Sequence, residues 1–260
     1  MKKLFIISLL FLLFISPSFA VTKSYDGIWF MGFNMNKDIF GDKNGKLVRH
    51  AFSAAVNRQA VLKIMGEDIM PNGIIPSGMM GYDPQQKSFK YNVPAAKKLM
   101  RQAGYPVSDK RLKSLVLLHT DGDKTVVIAN LIKLNLIALG VNVVLKEVPF
   151  KYQDMWADDL KSGKYHMFLL GYKTASWVQD DLYPISKADN NPYDIVSSIF
   201  STKRYANFMN YSNPKVDSLL NFVQAYDPAS KEAISGQFKQ INSIVSADYP
   251  VLNLFYISKL

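Results

Sequence analysis

The order of apolar and polar positions divides the chain into short stretches of two different periods. Gly27 to Met35 is aromatic, apolar and brief, which predicts a buried strand, and it runs out in the polar turn Asp42-Lys43-Asn44-Gly45. Leu47, Val48, Ala51, Phe52, Ala55, Val56 and Ala60 then recur at helical spacing, with Arg49, His50, Asn57 and Arg58 filling the other face. That pattern predicts an amphipathic helix with its polar side in water. Pro71 to Pro84 holds three prolines and three glycines with little periodicity, so a long surface loop is expected. A second helix carries Pro94 in its first turn, Ala96, Leu99, Met100 and Ala103 on one face, and Gly104 just past its end.

From Leu115 the period changes. Leu115-Val116-Leu117-Leu118 reads as a strand, Asp123 is placed to cap a helix running to Leu139, Gly140 stops it, and Val141 to Leu145 is another strand. A strand, a helix and a strand in this order form a βαβ unit, for which parallel pairing and a right-handed crossover are expected. A helix near Tyr152 to Leu160 ends at Ser162-Gly163 and leads into the strand Tyr165 to Leu170. Residues 171–194 lose all periodicity and are rich in Trp, Tyr, Asp, Asn, Pro and Ser. Helices near Pro214 to Ala225 and Pro228 to Ser246 precede a last apolar run, Val251 to Tyr256. The alternation predicts an α/β fold, a sheet with helices on its faces, whose ligands would gather at the strand ends where residues 171–194 begin.

Composition narrows the setting. Lys2-Lys3, the apolar stretch Leu4 to Ile15 and the small residues at Ser18 and Ala20 have the form of a secretory signal peptide, residues 1–20, too short to span a bilayer comfortably. The net charge is +10, and removal of Lys2 and Lys3 with the signal leaves +8, a basic mature chain from residue 21 to 260. The chain contains no cysteine, which excludes disulfides, thiolate metal sites, a cysteine nucleophile and the lipid-bearing cysteine of a lipoprotein. A periplasmic location is expected, and for an exported protein no nucleic-acid partner is expected; the basic charge is read as a solvated face or an attraction to anionic membrane surfaces.

Four stretches resemble the solute-binding proteins of peptide-type ABC transporters, family 5. Val48-Arg49-His50-Ala51 through Asn57-Arg58 resembles the family's "VRQA…AIDR" helix, and Ile75-Pro76 through Gly81-Tyr82 its proline-containing loop. Tyr91-Asn92-Val93-Pro94 through Ala103-Gly104-Tyr105-Pro106 is similar to "YDPEKAKKLLAEAGYP", the most specific of the four, and Asn207 with Tyr211-Ser212-Asn213-Pro214 through Leu220 to "N…YSNPEVDRLL". The likeness spans residues 28–257. It implies a periplasmic-binding-protein type II-like lobe with a mixed sheet flanked by helices. Family members carry a long first lobe before the "VRQA" helix and further strands after the final run, so residues 21–260 are expected to form a single lobe without them. The implied partners are a small peptide or similar solute, an ABC permease, and a separate chain supplying the other lobe if the receptor is split.

In the family an acidic residue in the loop after the strand ending near Gly171-Tyr172 often pairs with a peptide's amino terminus. Ala188-Asp189-Asn190-Asn191-Pro192-Tyr193 resembles a form of that motif, which makes Asp189 the chosen residue, with Asn190 beside it and Asp180 and Asp181 behind; a direct count from Gly171 points instead to Ala175. The same Asp189 also suits the start of a turn or the cap of a helix after Pro192. A carboxylate in a closing cleft can hold an ammonium by a charge-assisted hydrogen bond, and Tyr172 and Trp177 are candidate aromatic covers. Trp29, Phe30 and Phe33 are assigned to core packing.

Chemistry finds less support. His50, His119 and His166 lie far apart and lack the spacing of a helical zinc site; His50 is expected on a solvated face. His119-Thr120-Asp121-Gly122-Asp123 lacks the remaining ligands of a calcium loop, and a strand-to-helix turn explains it. No nucleophile elbow, phosphate-binding glycine loop or dinucleotide fingerprint is present. A non-catalytic binding protein without metal or cofactor is the leading expectation. Its alternatives are an interaction or relic protein that keeps the lobe and has lost binding, and a secreted hydrolase with a triad set by geometry alone.

Overall fold

The computed structural model describes residues 23–87, 89–107, 109–174, 190–225 and 231–259. The signal-peptide reading of residues 1–20 therefore lies outside the described residues. Five strands, β1 (Tyr25–Phe33), β2 (Leu115–Thr120), β3 (Val143–Val148), β4 (Met167–Lys173) and β5 (Val251–Ser258), form one sheet in the order β3-β2-β4-β1-β5. β2 pairs parallel with β3 and β4, whereas β1 runs antiparallel to β4 and β5. The mixed α/β sheet is the one expected.

The inner strands β1 and β2 and the first half of β4 are largely buried on both sides and read as apolar runs, whereas the edge strand β3 exposes Val144, Lys146 and Glu147. Along β4, Met167 and Leu169 enter one core and Phe168 and Leu170 the other. The first core is closed by α1 (Asp38–Gly41), α2 (Gly45–Ala55), α3 (Arg58–Met65), α4 (Val93–Gln102) and α5 (Asp123–Ile137). The second lies under α6 (Gln153–Ser162), α7 (Tyr193–Phe200), α8 (Pro214–Ala225) and α9 (Lys231–Asp248). Gly32 of β1 faces Phe168 of β4, and a Cβ there would come within 2.3 Å of the Phe168 ring. Glycine at this position leaves room for the Phe168 ring against the neighbouring strand.

The helix predicted over Leu47 to Ala60 is two helices. Val56 turns extended at ψ 123°, and the Asn57 side chain accepts from Ala60 N at 3.3 Å to begin α3, while Asn57 N donates to Asn135 Oδ1 on α5 at 2.8 Å. Local side-chain bonding of this kind competes with helix continuation. The expected polar face is also largely buried. Arg49 donates to Asp248 O at 2.8 Å, to Tyr249 O at 3.1 Å and to Phe40 O, tying α1 and α2 to the end of α9. His50 does not stand on a solvated face: it is half-buried and stacks on Tyr249 with ring centroids 4.3 Å apart. At α5, Asp123 is the first helical residue and Gly122 the cap, so the acid favours the positive helix end by charge rather than by a capping bond.

Arg58 is buried. Its Nη1 donates to Pro71 O and Asn253 O at 2.9 Å each and its Nη2 to Phe89 O at 2.7 Å, joining α3, the following loop and β5. Burial pushes its guanidinium down to about 10, which leaves it charged at neutral pH. The Pro71 to Pro84 loop is irregular as expected, yet it is held from below by Asn242 on Ile74 N, by Asn253 on Gly73 O, both at 2.8 Å, and by Asn72 on Asp83 O.

Two stability measurements test this scaffold. Arg58→Ala leaves the carbonyls it served poorly paired and is expected to lower the unfolding free energy by about 3 kcal/mol in urea titration. Asp248 accepts from Tyr211 Oη at 2.8 Å, Asn213 Nδ2 at 2.9 Å and Lys46 Nζ at 3.2 Å. Burial raises its carboxyl, but those three bonds outweigh burial and hold it below the usual value of 3.8. A carboxyl depressed in the folded state contributes stability above its unfolded pKa and loses it as pH falls through the folded one. Stability measured against pH should therefore fall less steeply below about pH 4 in Asp248→Asn than in the unmodified chain.

Candidate functional site

The crossover from β2 leads to β3 on one side, and the next returns past β2 to β4 on the other, so the connections diverge at the C-terminal ends of β2 and β4. In open α/β sheets this divergence makes the crevice where ligands bind. The same edge carries the start of β1 and the end of β5. Thr174 N and Oγ1 donate to Asp26 O at 2.8 and 3.0 Å, and Lys259 N donates to Ser24 O at 2.8 Å, which closes the outer turns of the edge. Lys173 Nζ lies 3.4 Å from Asp26 Oδ2, while Asp26 Oδ1 is buried with no hydrogen-bond partner.

Tyr172, chosen from the sequence, sits at the end of β4. Its hydroxyl donates to Asp194 Oδ1 at 3.3 Å and lies 2.5 Å from Tyr205 Oη, and Ser198 Oγ donates to the same Asp194 oxygen at 3.2 Å. Burial, with further contributions from Tyr205 and the Asp194 charge, pushes the Tyr172 phenol above its ordinary 10 despite the Ser198 bond, so it stays protonated at neutral pH. Tyr205 is 71% exposed and presents its ring to solvent. Along the same edge Phe150 and Tyr152, between β3 and α6, and Met155, in the first turn of α6, are exposed, with the turn fixed by Phe150 N on Asp121 Oδ1 at 2.9 Å. The rim thus combines a hydroxyl-braced carboxylate, a cation and aromatic surface, suited to polar and zwitterionic small molecules.

Asn190 does not join the Tyr172 cluster through any described bond. It adopts φ 68°, accepts Met80 N on its carbonyl at 2.8 Å and receives Lys259 Nζ on Oδ1 at 3.4 Å, linking the long loop to the end of β5. Asn191 Oδ1 accepts Tyr193 N at 2.9 Å and shapes the entry to α7. Asp189 and Trp177, like Ala175, Asp180 and Asp181, lie outside the described residues. Asp194, Ser198 and Tyr205 escaped the sequence reading; the one usable signal was an acid in the first turn after Asn191-Pro192.

The other candidate chemistry resolves into packing. His119 is buried with Nδ1 2.9 Å from Thr120 O, and His166 Nδ1 accepts Val116 N at 3.1 Å. Phe30 and Phe33 are fully buried, and Trp29 stacks on Phe255 at 5.3 Å. Among the described residues no histidine ring is bonded to a hydroxyl and no His, Asp and Glu cluster could hold a metal ion.

The five-stranded mixed sheet flanked by helices matches the periplasmic-binding-protein type II-like fold. Residues 11–193 match the bacterial extracellular solute-binding proteins, family 5 (middle), and the chain belongs to that family. It is 25% identical over 228 residues to heme-binding protein A of Haemophilus influenzae, covering 85% of this chain and 38% of that protein. The murein tripeptide binding protein MppA of Escherichia coli superposes with a TM-score of 0.74 at 19% identity, over 91% of this chain and 43% of that one. A peptide-binding protein of a peptide ABC transporter superposes at 0.67 and 20% identity over 88% of this chain and 98% of its own. The chain spans well under half the length of heme-binding protein A and of MppA.

Tyr172→Phe removes the hydroxyl that braces both Asp194 and Tyr205 and is expected to lower stability by about 1 kcal/mol in urea titration, with the fold retained.

Proposed function

We propose that this chain is a non-catalytic solute receptor of an ABC transporter, exported to the periplasm, that takes short peptides or similar zwitterionic solutes at the rim formed by the ends of β2 and β4. The observation that carries the reading is the Tyr172–Asp194–Tyr205 cluster at the strand-end crevice of a family 5 chain. An ammonium would pair with the Asp194 carboxylate, already oriented by two hydroxyl donors, while the exposed aromatics cover the ligand's body. Asp189, Asn190 and Trp177 are proposed as further ligand contacts. A solute-binding protein named for heme is among the relatives, so a larger flat ligand is within the family's range.

In this reading residues 21–260 form one lobe, and the ligand is enclosed from the other side by a second lobe, held on another chain or on a longer form of this one. Closure would then present the complex to the permease. One lobe alone provides part of the contacts, and weak affinity follows. The exposed set Phe150, Tyr152 and Met155 favours a second reading, in which the rim docks a protein and no longer binds solute.

Thermal unfolding of residues 21–260 against a graded pool of short peptides separates the two. A ligand bound only by the folded state raises the midpoint by mass action, so a rise that grows with concentration and shrinks in Asp194→Asn is expected. A cooperative melt that no peptide concentration moves would transfer the assignment to the protein-docking reading.

A further inference from the structure

The outward face of α5 departs from an ordinary surface helix. Val127, Leu134 and Ile137 are 51%, 63% and 57% exposed, while Ile128, Ile132 and Leu136 on the inward face are buried, so the helix is apolar on both sides. A helix of that composition is normally covered on both sides. The stripe continues past the helix end to Val107, which is 51% exposed; Gly140, at φ 79°, lies against it so closely that a Cβ would come within 2.1 Å of Val107 O. The polar interruption, Asn130, turns its amide back onto its own helix, donating to Val126 O at 2.9 Å.

The two ends of the stripe differ in charge. Asp121, Asp123 and Lys124 stand at the N-terminal end, and Lys110, Lys113 and an Arg111 paired with Asp109 at the C-terminal end. Lys113 Nζ also donates to Gly140 O at 3.0 Å. One end is net acidic and the other net basic, so the face is complementary to an inverted copy of itself.

We infer that α5 is the contact surface of a two-fold homodimer in which the α5 helices of two copies pack antiparallel. The two-fold sets Val127 of one copy toward Ile137 of the other, brings Leu134 near the axis and places each acidic end on a basic end. A membrane surface fits less well, because interfacial helices carry basic residues along their polar flanks and this stripe has an acidic end. Four half-exposed side chains per copy bury on the order of 700 Å² in total, below the ~1,200 Å² of stable complexes, so the dimer is weak and concentration-dependent.

Sedimentation velocity of residues 21–260, from micromolar to near-millimolar concentration, tests this. The mass is expected to rise from monomer to dimer, less at high salt. Leu134→Glu, a change at an exposed position, should weaken association about tenfold or more without moving the melting temperature. Asp123→Lys should weaken it, and combining it with Lys110→Asp should restore it. A chain that stays monomeric throughout, a dimer that Leu134→Glu leaves intact, or Leu134-dependent binding to phosphatidylglycerol vesicles without dimerisation would each overturn the inference.

Discussion

The arrangement depends most on one buried cation. Arg58 cannot lose its charge cheaply at neutral pH, so folding must supply acceptors, and it takes them from the backbone at Pro71, Phe89 and Asn253. Two of those carbonyls lie near opposite ends of the α3–α4 connection and the third in β5. Satisfying one guanidinium therefore ties the start of α3 to the α3–α4 connection and to β5. The loop so placed receives Asn242 and Asn253 from beneath and offers Met80 N to Asn190 O, which positions the residue leading into α7. A wall of the rim is thereby held from the far side of the sheet.

This explains why the stretches that identify the family are not the ones that would touch a ligand. Arg49 and Arg58 anchor carbonyls, Asn92 accepts Ala95 N at 2.9 Å to start α4, and Asn207 bonds Ser201 O and both backbone groups of Tyr211. Tyr211 and Asn213 in turn fix Asp248. Buried polar groups of this kind have few acceptable substitutes, because each must match both geometry and charge. Rim residues need only suit a ligand, and ligands differ.

The same contrast decides what was legible from the chain. Strands β1 to β5 and helices α4, α5, α6 and α8 were visible because apolar spacing and glycine or proline punctuation are local. The break at Asn57 was not, since the helical period runs straight through it and the bond that favours the break comes from Asn135. The buried arginines were assigned to water for a related reason: periodicity scores Arg as polar, while burial depends on carbonyls that converge from distant segments. At the rim, Tyr172 could be found as the end of a sheet strand. Asp194, Ser198 and Tyr205 meet it only through the path of α7 and the loop beyond, which no spacing encodes.

The two apolar exposures lie in different parts of the fold, and their placement makes two contacts compatible. α5 starts at Asp123, just beyond the rim end of β2, and runs back along the sheet to its opposite edge. Two such helices packed antiparallel point their N-terminal ends, and with them the two rims, in opposite directions. Each rim then stays open to a solute or to a second lobe while the α5 stripes are covered. Parallel packing would crowd both rims onto one end and set acid against acid at Asp123. Because solute capture uses the strand ends and association uses a helix flank, neither surface needs to give up its chemistry to the other, and α5 can be apolar on both sides without cost to binding.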